Sequence, residues 1–401
     1  MKKGAIATAV FLLCGSMLWA KSYTLKEIRS YAKQSGTIDR ALKLTAQAKE
    51  AQNLSDTASD PLEISGMVLR AYPDGMRSGN EYNVGFTKNV KLPGVVDEEQ
   101  RMNRLRNESD LLGMRQSVIA YENGLGSLYH SYCVSREAYR SFAKGYKDFQ
   151  ILFKKRQKAY RYDEISKTEL LQLQLERDRL RAKLAGLKMQ MDAQKKSLLR
   201  LSGLERQNGA VLSCRDLYPI RVSVKTADAF ALSTEAQRKR LQSFDMKRQR
   251  YSHMLDSFDI TGQYANEVDT DRYGIGVSIP LNFTSSRNEE AKAAAMYARS
   301  AAEAQFEQRM RQKSAAVAGL KAKLRSEATM IQAYRANLLT YKKELLPLSR
   351  KSYELGESSV TTYLMTRQRA NMLQEEMFAR KQTYYQTYFK LLTLLEKKDE
   401  Q

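Results

Sequence analysis

Apolar residues recur at every seventh position along two long stretches of the chain. The first stretch spans about 95 to 161, and its seam is Leu111, Val118, Leu125, Tyr132, Tyr139, Tyr146, Phe153 and Tyr160. The second spans about 286 to 354, with Met310, Val317, Leu324, Ile331, Leu338 and Leu345 in register. A sustained seven-residue spacing predicts long helices in coiled-coil packing. At 1.5 Å per residue each helix is about 100 Å long.

Shorter helical patterns flank each long helix. They cover residues 24–56 and 167–201 around the first, and residues 227–255 and 361–397 around the second. Two such helices laid end to end span about 100 Å, the length of one long helix. We therefore expect each long helix to pack beside two stacked shorter ones, with strands at one end and helical tips at the other.

A two-residue alternation marks four predicted strands, at about 62–72, 82–91, 258–267 and 272–283. In the last strand small or polar residues occupy the alternate positions, and the apolar positions of the second and fourth strands form one predicted face. This face consists of Tyr82, Val84, Phe86, Tyr273, Ile275, Val277, Ile279 and Leu281. A half-buried sheet on a soluble core uses the same alternation. Because the helices already use their seams on each other, we predict that this face contacts lipid.

Both patterns return at an offset of roughly 190 to 196 residues, which indicates an internal duplication. The predicted units are a first repeat at 21–206, a connector at 207–225 and a second repeat at 226–401. Four strands cannot close a barrel, because a small barrel needs about eight or more. The predicted fold is mainly α with a small β part. Four strands from each of three chains would give twelve, so we expect several copies to close one barrel.

The first 20 residues have the pattern of a secretory signal peptide, with basic Lys2 and Lys3, an apolar stretch and cleavage after Ala20. Cys14 raises the alternative of a lipoprotein anchor, although the preceding Leu13 is larger than a lipobox prefers. Two other cysteines remain, Cys133 and Cys214, and their pairing does not follow from the sequence.

The net charge of +22 raises the question of a nucleic-acid partner. The basic residues are spread along the helices among acidic ones, and the chain begins with a signal peptide, so we expect no nucleic acid. The only histidines are His130 and His253, on two distant helices, and the sequence contains no metal-ligand cluster, nucleophile elbow or phosphate loop. We therefore expect no enzyme activity, no metal site and no cofactor.

Two segments carry a family resemblance. One is the strand 273–283, which leads into an Ala-rich helix, and the other is the turn 353–359, which leads into the last helix. In order, spacing and duplication these segments resemble the TolC-like outer-membrane efflux proteins over nearly the whole mature chain. The resemblance implies a homotrimer in the outer membrane, with most of the chain in the periplasm. It implies a long coiled-coil helical barrel joined to four membrane strands per chain, which close as a trimeric 12-stranded β-barrel.

The resemblance also implies a function and partners. Such a protein is a passive duct from periplasm to exterior, which works with a periplasmic adaptor protein and an inner-membrane pump. The resemblance leaves open whether the cargo is a drug, a metal ion or a protein. It also leaves open whether the resting pore is open or closed. The alternative is a periplasmic coiled-coil adaptor or scaffold, and a requirement for detergent would distinguish the two.

The resemblance places adaptor docking at the two helical turns. The docking residues it implies are Gly356, Glu357 and Ser359 in one turn and Asp163, Glu164 and Ser166 in the other. Gly356 suits a turn that needs positive φ. Asp163 stands at the matching position, and because Asp tolerates this conformation less well, we expect the first turn to differ.

The resemblance also implies a gate at the tips. Some family members place aspartates where this chain has Thr362 and Met365, so an apolar constriction is expected in place of a carboxylate ring. Glu169 and Tyr353 match an acid and a tyrosine that hold the closed state, whereas Ser358 replaces the family's arginine. A hydrogen bond from Tyr353 to Glu169 would contribute about 1 to 3 kcal/mol. Alternatively, all these residues are solvated turn positions.

Overall fold

The structure is a computed structural model that describes residues 22–34, 37–72, 78–205, 210–222, 230–267, 270–280 and 286–398. The signal peptide with Cys14, and Leu281 of the predicted lipid face, lie outside the described residues. Within the described residues, no helix is both long enough and apolar enough to cross a bilayer.

The elements follow the order that the sequence predicts, except that two helices stand where one is predicted over 24–56 and that two further two-residue strands occur. They are β1 (Ser22–Tyr23), α1 (Leu25–Gln34), α2 (Thr37–Thr57), β2 (Glu63–Ala71), β3 (Gly79–Lys91), α3 (Pro93–Arg161), α4 (Lys167–Leu201), β4 (Val211–Leu212), α5 (Ala231–Arg250), β5 (Ser257–Asn266), β6 (Asp271–Ser278), α6 (Arg287–Thr340), α7 (Leu346–Glu354) and α8 (Val360–Leu394). A five-residue π-helical turn, Tyr341–Leu345, joins α6 to α7.

The predicted helix arrangement is confirmed. In the first half α3 packs on α2 and α4, and in the second half α6 packs on α5 and α8. The halves are joined because α3 also packs on α5 and α8. Since α3 begins directly after β3 and ends at the first helical turn, the sheet lies at one end of the helical body and the tips at the other.

Four strands form one antiparallel sheet in the order β2-β3-β5-β6. Strands of the two halves meet at its centre, where β3 pairs with β5 over the ten residues from Tyr82 to Lys91. Strand β6 ends at Ser278, so Ile279 lies beyond the strand in which the sequence places it. The reason is Pro280, which has no N–H to donate to a ladder and restricts the residue before it.

Two helices differ from their predicted ends. Helix α5 stops at Arg250, because residues 251–256 turn to enter the sheet. Helix α8 stops at Leu394, where Glu396 takes a positive φ of 57° and the N–H of Lys397 donates to the Leu392 carbonyl at 3.0 Å. This is the hydrogen-bond pattern of a helix C-cap, and it satisfies a carbonyl that the helix leaves open.

The π-helical turn explains how α6 accommodates Pro347. A proline inside a helix lacks an N–H and its ring collides with the carbonyl four residues earlier, which here belongs to Lys343. The wider turn over Tyr341–Leu345 relieves this collision directly upstream of the proline. The chain therefore passes Pro347 through a π-helical turn followed by continued helix.

The described part of the connector, residues 210–222, is fixed to the helical body. Strand β4 pairs in parallel with β1, and a disulfide joins Cys214 to Cys133 of α3 across 81 residues. Leu212 of the connector is fully buried with Tyr129 and Leu125 of α3. The connector therefore packs as part of the core.

Candidate functional site

The two helical tips have the same backbone geometry. Asp163 has a φ of 56° and Gly356 a φ of 79°. In each turn the next residue donates its N–H five residues back, from Glu164 to the Ala159 carbonyl at 3.0 Å and from Glu357 to the Ser352 carbonyl at 2.9 Å. The expectation that the first turn differs is therefore wrong. Aspartate is among the few residues other than glycine that adopt the left-handed region with tolerable strain.

Each tip continues into a capped helix. The Ser166 hydroxyl accepts a hydrogen bond from the N–H of Glu169 at 3.1 Å, and the Ser359 hydroxyl accepts one from the N–H of Thr362 at 3.2 Å. These caps satisfy donors that a helix start leaves open. Ser166 and Ser359 are therefore the N-caps of α4 and α8.

A side-chain link connects the two tips. The Tyr353 hydroxyl donates a hydrogen bond to the Glu169 carboxylate, across 184 residues of sequence. Tyr353 is only 3% exposed, so its alternative placement as a solvated turn residue is wrong. Burial first, and then the hydrogen bond to Glu169, raise the pKa of Tyr353 well above its ordinary value. The phenol is therefore held protonated as the donor.

An arginine that sequence reasoning missed, Arg156, also contacts Tyr353. The Arg156 guanidinium lies 4.2 Å from the centre of the Tyr353 ring and donates to the Tyr353 carbonyl at 2.9 Å. Tyr363 stacks on Tyr353, with the ring centroids 5.5 Å apart and the ring planes 10° from parallel. The hydroxyl of Ser358 is buried with no hydrogen-bond partner in the described residues. Arg156 thus contacts Tyr353 in this structure, although the resemblance places an arginine at position 358.

The remaining tip residues lie on the surface of the protomer. Thr362 and Met365 are exposed near the start of α8, and so are Glu164, Glu357 and Ser359. Met365 is 52% exposed. Its surroundings include Leu175 of α4 and Leu364 of α8. An exposed apolar residue at this end is available for contact with another chain.

The strand register places the predicted lipid-face residues on one side of the sheet. Val84 lies opposite Tyr264, which lies opposite Tyr273, and directly paired residues share a face. The same face carries four apolar residues that sequence reasoning did not assign to it: Ile64 and Val68 of β2 and Ile260 and Tyr264 of β5. The alternation of β2 and β5 is weaker, so only pairing with β3 reveals their orientation.

This face is uncovered in the protomer. Tyr273 is 80% exposed and Ile275 is 89% exposed. The opposite face is mostly small and polar, with Asn83, Thr87 and Gln263, and its large apolar exceptions are Met67 and Leu69 of β2. Within the described residues no helix covers either the mostly apolar or the mostly polar face, which differs from the half-buried sheet of a soluble domain.

The histidines have structural surroundings. His130 is fully buried, with its Nδ1 2.9 Å from the Gly126 carbonyl oxygen, and its Nε2 accepts a hydrogen bond from the Tyr218 N–H at 3.2 Å. His253 lies 3.0 Å from Glu98 near the sheet end. Among the residues that the structure describes, no group of three or more metal-ligating side chains occurs.

Comparison with known proteins defines the class of fold. No family model and no curated protein matches the sequence. The fold is shared with CusC, whose structures concern transmembrane channel formation, with a TM-score of 0.75, 15% identity and coverage of 94% of this chain and 92% of that chain. A membrane protein from Pseudomonas aeruginosa matches with a TM-score of 0.74, 17% identity and coverage of 93% and 90%.

A third structure, the CmeC outer membrane channel of Campylobacter jejuni, matches with a TM-score of 0.69 and 13% identity, over 99% of this chain and 93% of that chain. At these identities the likeness establishes the fold, and the fold is that of outer-membrane channel proteins. The resemblance to TolC-like outer-membrane efflux proteins is confirmed at this level, and so is the mainly α architecture with a small sheet.

Proposed function

We propose that this protein is the outer-membrane channel of a tripartite efflux or type I export system. It is a passive duct from the periplasm to the exterior, with the sheet in the outer membrane and most of the chain in the periplasm. The observation that carries this proposal is the uncovered apolar face of the sheet at one end of a long helical body. The fold shared with outer-membrane channels supports it.

The sheet face supports insertion into lipid. Transfer of one large apolar side chain out of water contributes about 1.5 to 3 kcal/mol, and the face carries about ten such side chains. The polar face, with Asn83 and Gln263, would line a water-filled lumen. A periplasmic adaptor or scaffold gives no reason for this face, so the channel is favoured.

The sheet edges support a homotrimer. Strands β2 and β6 each have one edge without a partner in the described part of the chain. Unpaired backbone groups are too costly to persist in hydrocarbon, so these edges need partners from other copies. Three copies supply twelve strands, a number within the range of closed membrane barrels.

The tips support docking and gating. The two matched turns around Asp163 and Gly356 would present Glu164, Glu357 and the serine caps to a periplasmic adaptor, which in turn joins an inner-membrane pump. The link between Glu169 and Tyr353 would hold the tips closed. Met365 and Thr362 would form a constriction without a carboxylate ring. In such a protein the energy for transport comes from the pump, and no catalytic residue is needed in the duct.

The matched elements also support the division into two repeats, 21–206 and 226–401, with 207–225 between them. Each repeat contains a helix, a strand pair, a long helix, a tip and a returning helix. The disulfide at Cys214 ties the connector to the first repeat.

The first test is the mass of the detergent-extracted mature protein, by light scattering corrected for bound detergent. A particle of three chains that forms only in detergent is the expected result. A water-soluble monomer or dimer would overturn the channel and favour the scaffold.

A matched pair of variants tests the sheet face. Ile275→Lys places a charge on the apolar face and is expected to lower the yield of trimer in the outer membrane, at a cost of about 2 to 4 kcal/mol if the residue lies at mid-depth. Gln263→Lys makes a similar change on the polar face and is expected to leave the yield near wild type. Equal yields for the two variants would contradict a lipid-facing surface.

A further inference from the structure

A pocket lies along the helical body, on the tip side, where α3, the π-helical turn, α7 and α8 meet. Its volume is about 500 Å³, which is within the range of small-molecule sites. Part of its wall is apolar and comes from Phe142, Leu346 and Pro347. The remaining wall carries more basic than acidic side chains.

The base of the pocket holds a buried arginine. Arg367 is only 6% exposed, yet in the described residues no carboxylate lies within salt-bridge distance of it. Its guanidinium donates to the Gly145 carbonyl at 2.6 Å and to the Tyr363 hydroxyl at 3.3 Å, and it stacks on the Phe149 ring at 4.7 Å. All three partners are neutral. A buried charge without an opposite charge is costly, so this position calls for an anion.

Three lysines add to this charge. Lys144, Lys342 and Lys351 line the pocket, and within the described ranges none of them forms a salt bridge. The ammonium of Lys342 contacts the Ser141 hydroxyl at 3.3 Å. Partial burial, and then the positive charge of Lys144, lower the pKa of Lys342 from its ordinary value. Lys144 and Lys342 therefore repel each other, and the negative charge of Glu137 offsets part of this repulsion at Lys342.

The acidic residues of the pocket do not balance this set. Glu354 also lines it but is paired with Arg350 at 3.0 Å, so the two cancel. Among the described residues of the lining, Asp148 is then the one carboxylate left to face four cations. A further donor is unused, because the amide nitrogen of Asn371 is buried with no hydrogen-bond partner in the described part of the chain.

We propose that this pocket is a binding site for a small amphipathic organic anion, such as an aryl carboxylate. The carboxylate would accept hydrogen bonds from Lys144, Lys342 and the Asn371 amide near the Arg367 charge, and the apolar body would contact Phe142 and Leu346. The π-helical turn shapes the site, since it widens the helix at Lys342 directly upstream of Pro347. Turns of this kind occur often at functional sites.

The test is calorimetric titration of purified full-length mature protein, in a nonionic detergent, with salicylate as the probe. Salicylamide, which is neutral and of nearly the same shape, is the matched control ligand. Salicylate is expected to bind in a salt-sensitive manner, and salicylamide is expected to bind about tenfold more weakly or not at all.

Variants locate the site. Arg367 also supports packing, so the test uses the exposed Lys144→Gln and Lys342→Gln, with Lys323→Gln elsewhere on α6 as a matched charge change. Each pocket variant is expected to weaken salicylate about tenfold, and the control variant to bind like wild type. Absence of salicylate binding at millimolar concentration, equal binding of salicylamide, or equal effects of all three variants would each overturn the proposal. Because binding is measured on the isolated protein, the result does not depend on the channel proposal.

Discussion

Removal of one hydroxyl at the tips gives the sharpest test of the gate. Tyr353→Phe deletes the hydrogen bond to Glu169 and keeps the ring that packs between Arg156 and Tyr363. A hydrogen bond to a charged group contributes about 1.5 to 3 kcal/mol. Because Glu169 is half-buried and water can replace part of the interaction, we expect the lower end of this range.

That magnitude sets the expected change in gating. If the link forms only in the closed state, a loss of about 1.4 kcal/mol shifts the balance of open and closed states about tenfold towards open. The measurement is single-channel recording in planar bilayers with the purified protein. Tyr353→Phe and Glu169→Ala should both raise conductance or open probability, and the double variant should add little to either one, since both remove the same bond.

The duplication supplies a matched control. Tyr160 is the counterpart of Tyr353 in the first repeat, and its hydroxyl forms no hydrogen bond within the described residues. Tyr160→Phe should therefore behave like wild type. The link would be refuted as a gate if recordings of Tyr353→Phe match those of wild type. It would also be refuted if Tyr160→Phe and Tyr353→Phe open the channel equally.

The protonation of Tyr353 adds a pH expectation to the same link. A pKa raised in the folded state means that the phenol stabilises the fold below the ordinary tyrosine pKa of about 10, and that this contribution is lost as the pH rises through the folded pKa. Channel opening should therefore show no step from the tyrosine between pH 7 and about 9. A step in that window that disappears in Tyr353→Phe would contradict the raised pKa.

Four further predictions concern the two helical turns, the disulfide and Cys14. Gly356→Val forces a β-branched residue to positive φ, which costs about 1 to 2 kcal/mol, and should abolish adaptor pull-down while the trimer survives; normal export would count against it. Asp163→Gly relieves similar strain and should keep adaptor binding. Opening the disulfide by Cys133→Ser or Cys214→Ser releases a loop of 81 residues and should lower the free energy of unfolding by about 4 kcal/mol, seen as a lower Tm; an unchanged Tm would contradict this. Cys14→Ser should leave maturation intact, as measured by mass spectrometry, whereas loss of maturation would indicate a lipoprotein.

Local sequence patterns predicted most of the architecture. Helix α4 begins and ends where its pattern places it, at Lys167 and Leu201. The alternation in β3 and β6 gave the orientation of the exposed sheet face. These features depend on contacts within a few residues, so seven-residue and two-residue periods suffice to predict them. The positive φ of Gly356 followed from the same kind of local constraint.

Other features were decided by the tertiary structure. The link from Tyr353 to Arg156, the disulfide from Cys133 to Cys214, and the pocket around Arg367 each join residues far apart in sequence. Whether such residues meet depends on how far each helix is rotated and shifted along its neighbour. A heptad pattern fixes which face of a helix is packed, but it leaves open which of several similar turns lies opposite which.

The sequence by itself thus determined the helices, the strands, their duplication and the positions of the two tips, because backbone preference and periodic burial act over short range. The tertiary structure decided which charges are paired, which hydroxyls have partners and where a buried arginine is left without a carboxylate. Those outcomes follow from the packing of α3 against α4, α5 and α8. In this packing, residues up to a few hundred positions away decide whether a polar side chain has a hydrogen-bond or charge partner.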